Sequence, residues 1–210
     1  MRVKNLGKHI SVLLIGLVAV FLSACTQNND NNKVNMVAPP SSHIAISFDF
    51  ERQSGNATNQ FVIWIEDAGG NLVRTIYVTG FTTRRGHRNR PDAIPLWVSK
   101  ANASAINWDD VDAISGATPD EGRLEFFWDL KDQDGQVVPN GKYRYFIEGT
   151  IRWSNQILFS GEIIIDYDIS ITEAVVEYTF EANNNRRPAL TEFSEETNMI
   201  SSVLVEYRPE

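Results

Sequence analysis

The chain has 210 residues, a formal net charge of −8 at pH 7 and a hydrophobic fraction of 42%. This negative charge argues against nucleic-acid binding, because an acidic surface repels phosphates. A single cysteine excludes intramolecular disulfides, so stability must come from the burial of apolar side chains.

The first 24 residues predict a secretory signal peptide. They carry three basic residues and no acidic one, and their apolar run over residues 10–22 is too short to cross a bilayer comfortably. Residues 22–25 then read Leu-Ser-Ala-Cys, which resembles the bacterial lipobox. The alternative is an ordinary signal peptide followed by an incidental cysteine.

The lipobox resemblance implies cleavage before Cys25 and acylation of that cysteine. The next residue is Thr26 and not Asp, which resembles the pattern of lipoproteins that are sorted to the outer membrane. Removal of residues 1–24 takes away three positive charges and no negative ones, which changes the net charge from −8 to −11. We therefore expect a protein that is anchored by lipid on the periplasmic side of the bacterial envelope.

Residues 25–42 are expected to form the lipidated cysteine and a disordered linker. The segment is rich in Asn, Pro and Ser and has no apolar pattern, so it cannot bury enough surface to offset its chain entropy. The remaining residues, 43–210, are enough for a single domain with its own core.

That domain is predicted to be mainly β. Short apolar alternations and β-branched or aromatic runs predict eight strands, separated by Gly and Asn turns. They lie at residues 44–50, 61–66, 72–78, 124–128, 143–151, 157–165, 174–180 and 203–207. This pattern favours an all-β sandwich, with one short helix or helical loop over residues 95–103.

The stretch from Phe127 to Tyr143 gives the sandwich a family likeness. Its sequence, Phe-Trp-Asp-Leu-Lys-Asp-Gln-Asp-Gly-Gln-Val-Val-Pro-Asn-Gly-Lys-Tyr, resembles a signature of immunoglobulin-like modules such as the flagellar hook-capping protein. The resemblance implies an immunoglobulin-like antiparallel β-sandwich. Asp129, Asp132 and Asp134 are expected to cap backbone amides in the turns.

The sequence contains little that is typical of a metal site or of an enzyme's catalytic site. Residues 132–135 resemble the middle of an EF-hand loop, but Leu130 stands at the first ligand position and no Glu closes the loop. Capped turns are therefore preferred to a weak calcium site. No nucleophile elbow, Cys–His pair or zinc-type His pair is present, so no catalytic residue is proposed.

Residues 112–118 read Asp-Ala-Ile-Ser-Gly-Ala-Thr. This resembles the Asp-x-x-[Ser/Thr]-Gly-Ala-[Thr/Ser] sequence to which an extracytoplasmic flavin transferase attaches FMN. The resemblance implies that Thr118 takes covalent FMN, and that Asp112, Ser115, Gly116 and Ala117 are recognised by the transferase. A structural turn that needs the same residues is the alternative. Asp120 and Glu121, which follow after Pro119, are unfavourable neighbours for a phosphate.

Two further sets of residues each allow two alternative interpretations of their role. Trp97, Trp108 and Trp128 can either stack on a flavin ring or pack in the core and its turns. The basic segment 84–90 can either be a solvated loop or dock an acidic partner, a lipid headgroup or a flavin phosphate. Residues 181–201 are expected to form a long loop before the last strand.

The order of these features resembles the family called domain of unknown function 2271, of predicted periplasmic proteins. The likeness covers residues 44–165 and includes Val-Ile-Trp-Ile-Glu-Asp at 62–67 and Phe-Ile-Glu-Gly at 146–149. It implies a flavin transferase and a membrane reductase as partners. Three hypotheses remain: a flavin-carrying electron-transfer lipoprotein that is not an enzyme, an immunoglobulin-like structural or binding module without a cofactor, and a polysaccharide- or metal-binding accessory protein.

Overall fold

The computed structural model describes residues 41–53, 59–80, 93–101, 115–152, 155–166, 168–179 and 198–210. These ranges contain ten strands and one short helix. In chain order they are β1 His43–Phe50, β2 Gln60–Asp67, β3 Leu72–Thr79, α1 Pro95–Lys100, β4 Ser115–Gly116, β5 Gly122–Trp128, β6 Gly141–Arg152, β7 Asn155–Ile165, β8 Ser170–Glu173, β9 Val175–Thr179 and β10 Ile200–Arg208.

The strands form two sheets. One has four strands in the order β5-β1-β10-β8, and the other has six in the order β4-β3-β2-β6-β7-β9. Every pairing is antiparallel except the two-residue parallel pairing of β4 with β3. The prediction of an all-β antiparallel sandwich with one short helix is confirmed, and the parallel pair is an addition to it.

Two strands were not predicted. β4 consists only of Ser115 and Gly116, and β8 covers four residues at the edge of the four-stranded sheet. Both are too short for an alternating pattern to reveal them. The helix ends at Lys100, three residues before the predicted end at residue 103.

The main core lies between the two sheets. Alternate residues of β1, namely Ile44, Ile46 and Phe48, are fully buried and contribute to it. Phe48 meets Phe61 of the opposite sheet edge-to-face, with ring centroids 5.6 Å apart. Such aromatic pairs add specific geometry to the burial of apolar area.

A second apolar cluster lies on the other face of the six-stranded sheet. It is built from Val62, Trp64, Val78, Ile94, Trp97 and Phe146. Residues 93–101 cover this face, so β2 is buried from Gln60 to Glu66 instead of alternating between core and solvent. This segment belongs to the long connection from β3 to β4.

The turn between β5 and β6 shows the predicted capping. The Asp132 carboxylate accepts the backbone N–H groups of Asp134 at 3.0 Å and Gln136 at 2.8 Å. Asp129 accepts the N–H of Lys131 at 3.3 Å. The prediction of Asp caps is confirmed for Asp129 and Asp132, whose oxygens satisfy amides that the turn leaves unpaired.

Candidate functional site

The last four residues of the motif at 112–118 lie in the described part of the structure, at the edge of the six-stranded sheet. Ser115 pairs with Val78 and Gly116 with Thr79, in parallel. Ser115 and Gly116 therefore form the short strand β4, and residues 117–120 follow it as irregular backbone. Asp112 lies outside the described residues.

Gly116 is set against the ring of Tyr77. A Cβ atom at position 116 would lie 2.8 Å from Tyr77 Cε2 and 3.0 Å from the Tyr77 hydroxyl. The hydroxyl itself donates a hydrogen bond to the carbonyl of Ala117, at 2.8 Å. The contact therefore favours glycine at this position, since a side chain would have to displace the ring or the strand.

Tyr77 is held firmly in turn. Its ring stacks on Phe61, with centroids 5.1 Å apart, and packs against Phe126 at 4.9 Å. Burial raises the pKa of Tyr77 to about 12. The phenol consequently stays protonated near neutral pH and remains a donor to Ala117.

Arg52 holds the next two residues. This exposed arginine follows β1, and its Nη2 donates to the carbonyl of Thr118 at 2.9 Å while Nε donates to that of Pro119 at 3.1 Å. Its backbone N–H donates to the carboxylate of Glu121 at 3.2 Å. Arg52 thus joins the end of β1, in one sheet, to the segment that follows β4, in the other.

Thr118 lies between these anchors. Its side chain is half-buried, Ala117 before it is exposed, and the Thr118 hydroxyl has no hydrogen-bond partner in the described part of the chain. A hydroxyl without an adjacent base is a weak nucleophile. The described residues therefore leave the Thr118 hydroxyl without a hydrogen-bond partner and supply no catalytic group to it.

A family model described as predicted periplasmic protein (DUF2271) matches residues 42–178. The chain belongs to this family. The match confirms the resemblance drawn from the sequence and extends it past residue 165. No curated protein and no solved structure matches the chain.

Two of the three tryptophans considered for stacking on a flavin lie in the interior of this DUF2271 protein. Trp97 is 2% exposed and Trp128 is 1% exposed. Trp97 donates its indole N–H to Thr75 at 3.0 Å, and Trp128 donates to the carbonyl of Lys131 at 2.7 Å. Neither ring is open to a flavin, so the packing interpretation is correct for both. Trp108 lies outside the described residues.

Several predicted features of the DUF2271 protein fall on residues that the structure does not describe. Cys25, the basic segment 84–90 and residues 181–197 lie outside the described residues. Within the described ranges, no helix is long and apolar enough to cross a membrane. The same ranges contain no group of three His, Cys, Asp or Glu side chains arranged to hold a metal ion.

Sequence reasoning missed the most deeply buried carboxylate of the described residues. Glu148 on β6 is 0% exposed, and its two oxygens accept the N–H groups of Leu96 at 3.0 Å and Trp97 at 2.9 Å. Burial raises the pKa of Glu148 to about 7, against the lowering effect of these two hydrogen bonds. The local signal was a Glu within the apolar run that includes Phe146 and Ile147.

Glu148 anchors the segment that leads towards the motif. It caps the first turn of α1, and Thr150 beside it accepts the N–H of Ile94 at 3.1 Å. At the other end of the helix, Lys100 pairs with the buried Glu66 at 3.2 Å. These polar contacts hold residues 94–100, in the connection between β3 and β4, against the six-stranded sheet.

Proposed function

We propose that Thr118 is a covalent attachment site for FMN, and that the protein is an electron carrier of the periplasm and not an enzyme. The observation that carries the proposal is the setting of the motif residues. Gly116 is packed against Tyr77, while Thr118 presents a half-buried hydroxyl that no described residue engages. Attachment of this kind is favoured by a backbone that packing keeps in place and by a hydroxyl oxygen that is not already hydrogen-bonded.

The attachment reaction balances without a redox step. The Thr118 oxygen forms a bond to the phosphorus of the FMN half of FAD, the diphosphate bond breaks, and AMP leaves with the electron pair. The hydroxyl proton passes to a base of the flavin transferase, which also supplies the divalent metal. Once attached, FMN would supply one- and two-electron transfer chemistry.

The residues of the motif divide into two roles under this proposal. Thr118 is the acceptor, and Asp112, Ser115, Gly116 and Ala117 are the part that the transferase reads. Ala117 is exposed and small, which leaves room for another protein to approach the backbone. The further partners are a membrane reductase that delivers electrons and an acceptor that removes them.

The intact mass of the protein tests the proposal. The mature domain is incubated with a purified flavin transferase, FAD and Mg²⁺, and we expect a gain of one FMN less one water. Thr118→Ala should gain nothing, whereas Thr172→Ala, a half-buried threonine on β8, should behave as wild type. Persistence of the gain in Thr118→Ala, or its absence in wild type, would overturn the assignment.

The membrane anchor is a separate proposal. Acylation of Cys25 would hold the domain at the envelope, with sorting to the outer membrane. We expect the wild-type chain to fractionate with outer membranes and Cys25→Ser to appear in the soluble periplasmic fraction. If both fractionate alike, the lipid anchor is wrong.

A second candidate function rests on the contact of Gly116 with Tyr77. This contact gives the glycine a purely structural reason, as packing at the sheet edge of an immunoglobulin-like binding or structural module without a cofactor would do. The two functions differ in the mass experiment, because the module would never carry FMN. Colourless protein from the native envelope would favour the module.

A further inference from the structure

Arg52 is the cationic side chain next to Thr118, and no sequence motif points to it. Its guanidinium reaches the carbonyls of Thr118 and Pro119 at 2.9 and 3.1 Å. The contact joins residues 66 positions apart. An arginine has five N–H donors, and in the described part of the chain the donors not used by these two carbonyls have no partner.

The guanidinium and the Thr118 hydroxyl are linked through a single residue. The carbonyl oxygen that accepts from Arg52 and the side-chain Oγ are joined through C, Cα and Cβ of Thr118. Rotation about the Cα–C and Cα–Cβ bonds sets the separation between the guanidinium and a group attached to Oγ, so a change of side-chain rotamer is enough to bring the two together. Guanidinium is the side chain best suited to a phosphate oxygen, because it presents several N–H groups in one plane.

The charge balance around Thr118 also calls for a cation. Asp120 and Glu121 are exposed acidic residues close in the chain, and a phosphodiester on Thr118 would add a further negative charge. The carboxylate of Glu121 is held by the backbone N–H of Arg52 at 3.2 Å, which fixes its place. Arg52 is then the positive charge that offsets both the phosphate and the carboxylates.

We propose that Arg52 positions the acceptor segment 117–121 and compensates the charge of the phosphate attached at Thr118. The charge-compensating part rests on the proposed function. The positioning part does not, because the two hydrogen bonds to the carbonyls are present in the unmodified chain. Arg52 acts on the acceptor and is not a catalytic residue.

Three variants test this. Arg52→Gln removes the charge, and Arg52→Lys keeps the charge but cannot bridge two carbonyls in one plane. Arg74→Gln is the matched control, because Arg74 also donates to a backbone carbonyl, that of Asp132 at 2.6 Å, in the turn between β5 and β6. Circular dichroism first establishes that all variants are folded.

Two measurements are made on each variant. Amide hydrogen exchange of the peptide covering residues 117–122 reports the positioning without any flavin. The initial rate of FMN incorporation by the transferase, at low and at high salt, reports the acceptor. We expect Arg52→Gln to exchange faster and to incorporate FMN about tenfold more slowly, which equals about 1.4 kcal/mol of barrier. Arg74→Gln should match wild type in both.

The charge-compensating part of the proposal is tested by the melting temperature, Tm, of each variant before and after FMN attachment. Attachment should lower Tm more in Arg52→Gln than in wild type, and Arg52→Lys should restore most of the difference at low salt. Raising the salt should shrink the difference, because exposed charges are screened over about 10 Å at 0.1 M. An equal loss of Tm in Arg52→Gln and wild type would refute charge compensation.

The outcomes separate this inference from the proposed function. If wild type takes no FMN, the proposed function and the charge-compensating part fall together, and hydrogen exchange alone decides the positioning part. If wild type takes FMN while Arg52→Gln equals it in exchange and in rate, Arg52 has neither role. If Arg52→Gln exchanges its amide hydrogens faster but incorporates FMN at the wild-type rate, Arg52 positions the segment and has no effect on FMN attachment.

Discussion

The buried carboxylate of Glu148 makes the stability of the domain depend on pH. The perturbation is Glu148→Gln, which keeps the size of the side chain and removes its ionisation. Glu148 is fully buried, and burial raises its pKa from the ordinary value of 4.5 to about 7. The charged form is therefore penalised in the native state relative to the unfolded chain.

The magnitude follows from the two pKa values. Below pH 4.5 the carboxyl is protonated in both states and the native state keeps its full stability. Between pH 4.5 and 7 the unfolded chain releases the proton while the native state holds it, so stability falls as the pH rises. Each pKa unit is worth about 1.4 kcal/mol, which gives a total loss of about 3 kcal/mol by pH 8.

The assay is urea unfolding followed by tryptophan fluorescence at several values between pH 4.5 and 8. Relative to wild type, Glu148→Gln should gain about 3 kcal/mol in unfolding free energy across this range, because glutamine does not ionise. The control is Glu162→Gln, an exposed glutamate on β7 paired with Lys142 at 3.0 Å. It should shift the curve little.

The result that refutes the reasoning is a parallel pH dependence of wild type and Glu148→Gln. The two hydrogen bonds from Leu96 and Trp97 would then favour the carboxylate enough to cancel its desolvation. A difference that grows in the opposite direction, with glutamine losing ground as the pH rises, would mean that the capping bonds dominate.

Three further predictions concern packing, each checked by urea unfolding. Gly116→Ala should cost about 1–3 kcal/mol, because its Cβ meets Tyr77 Cε2 at 2.8 Å; combined with Tyr77→Ala the loss should be less than additive, and strict additivity would contradict the contact. Tyr145→Phe should stabilise by about 1 kcal/mol, because the buried Tyr145 hydroxyl has no partner among the residues that the structure describes; a loss would show a missed hydrogen bond. Trp97→Phe should cost about 1–3 kcal/mol, because the hydroxyl of Thr75 loses its donor; no loss would mean that the bond is not formed in solution.

Much of the candidate site could be recognised from the sequence, but its surroundings could not. The acceptor pattern ending at Thr118 is local, so consecutive residues reveal it. The bond from Tyr77 to Ala117 joins residues 40 positions apart. Contacts of this length depend on how β3, β4 and β1 are brought together, and no local pattern encodes that arrangement.

The sequence by itself indicated eight of the ten described strands, their turns and the membership of the family. Alternation of apolar residues and turn residues act over a few positions, so a short stretch of sequence is enough to reveal them. It was also enough to name Thr118 as a candidate acceptor.

Only the tertiary structure decided what surrounds that acceptor. In the folded chain Trp97 and Trp128 are buried in the interior. The ring of Tyr77 leaves little room for a side chain at Gly116. Arg52 lies within hydrogen-bond distance of the carbonyl of Thr118. The physical reason is common to all of these. Burial and hydrogen bonding across two sheets depend on which residues meet in space, and the two strands or segments that meet are far apart in the chain.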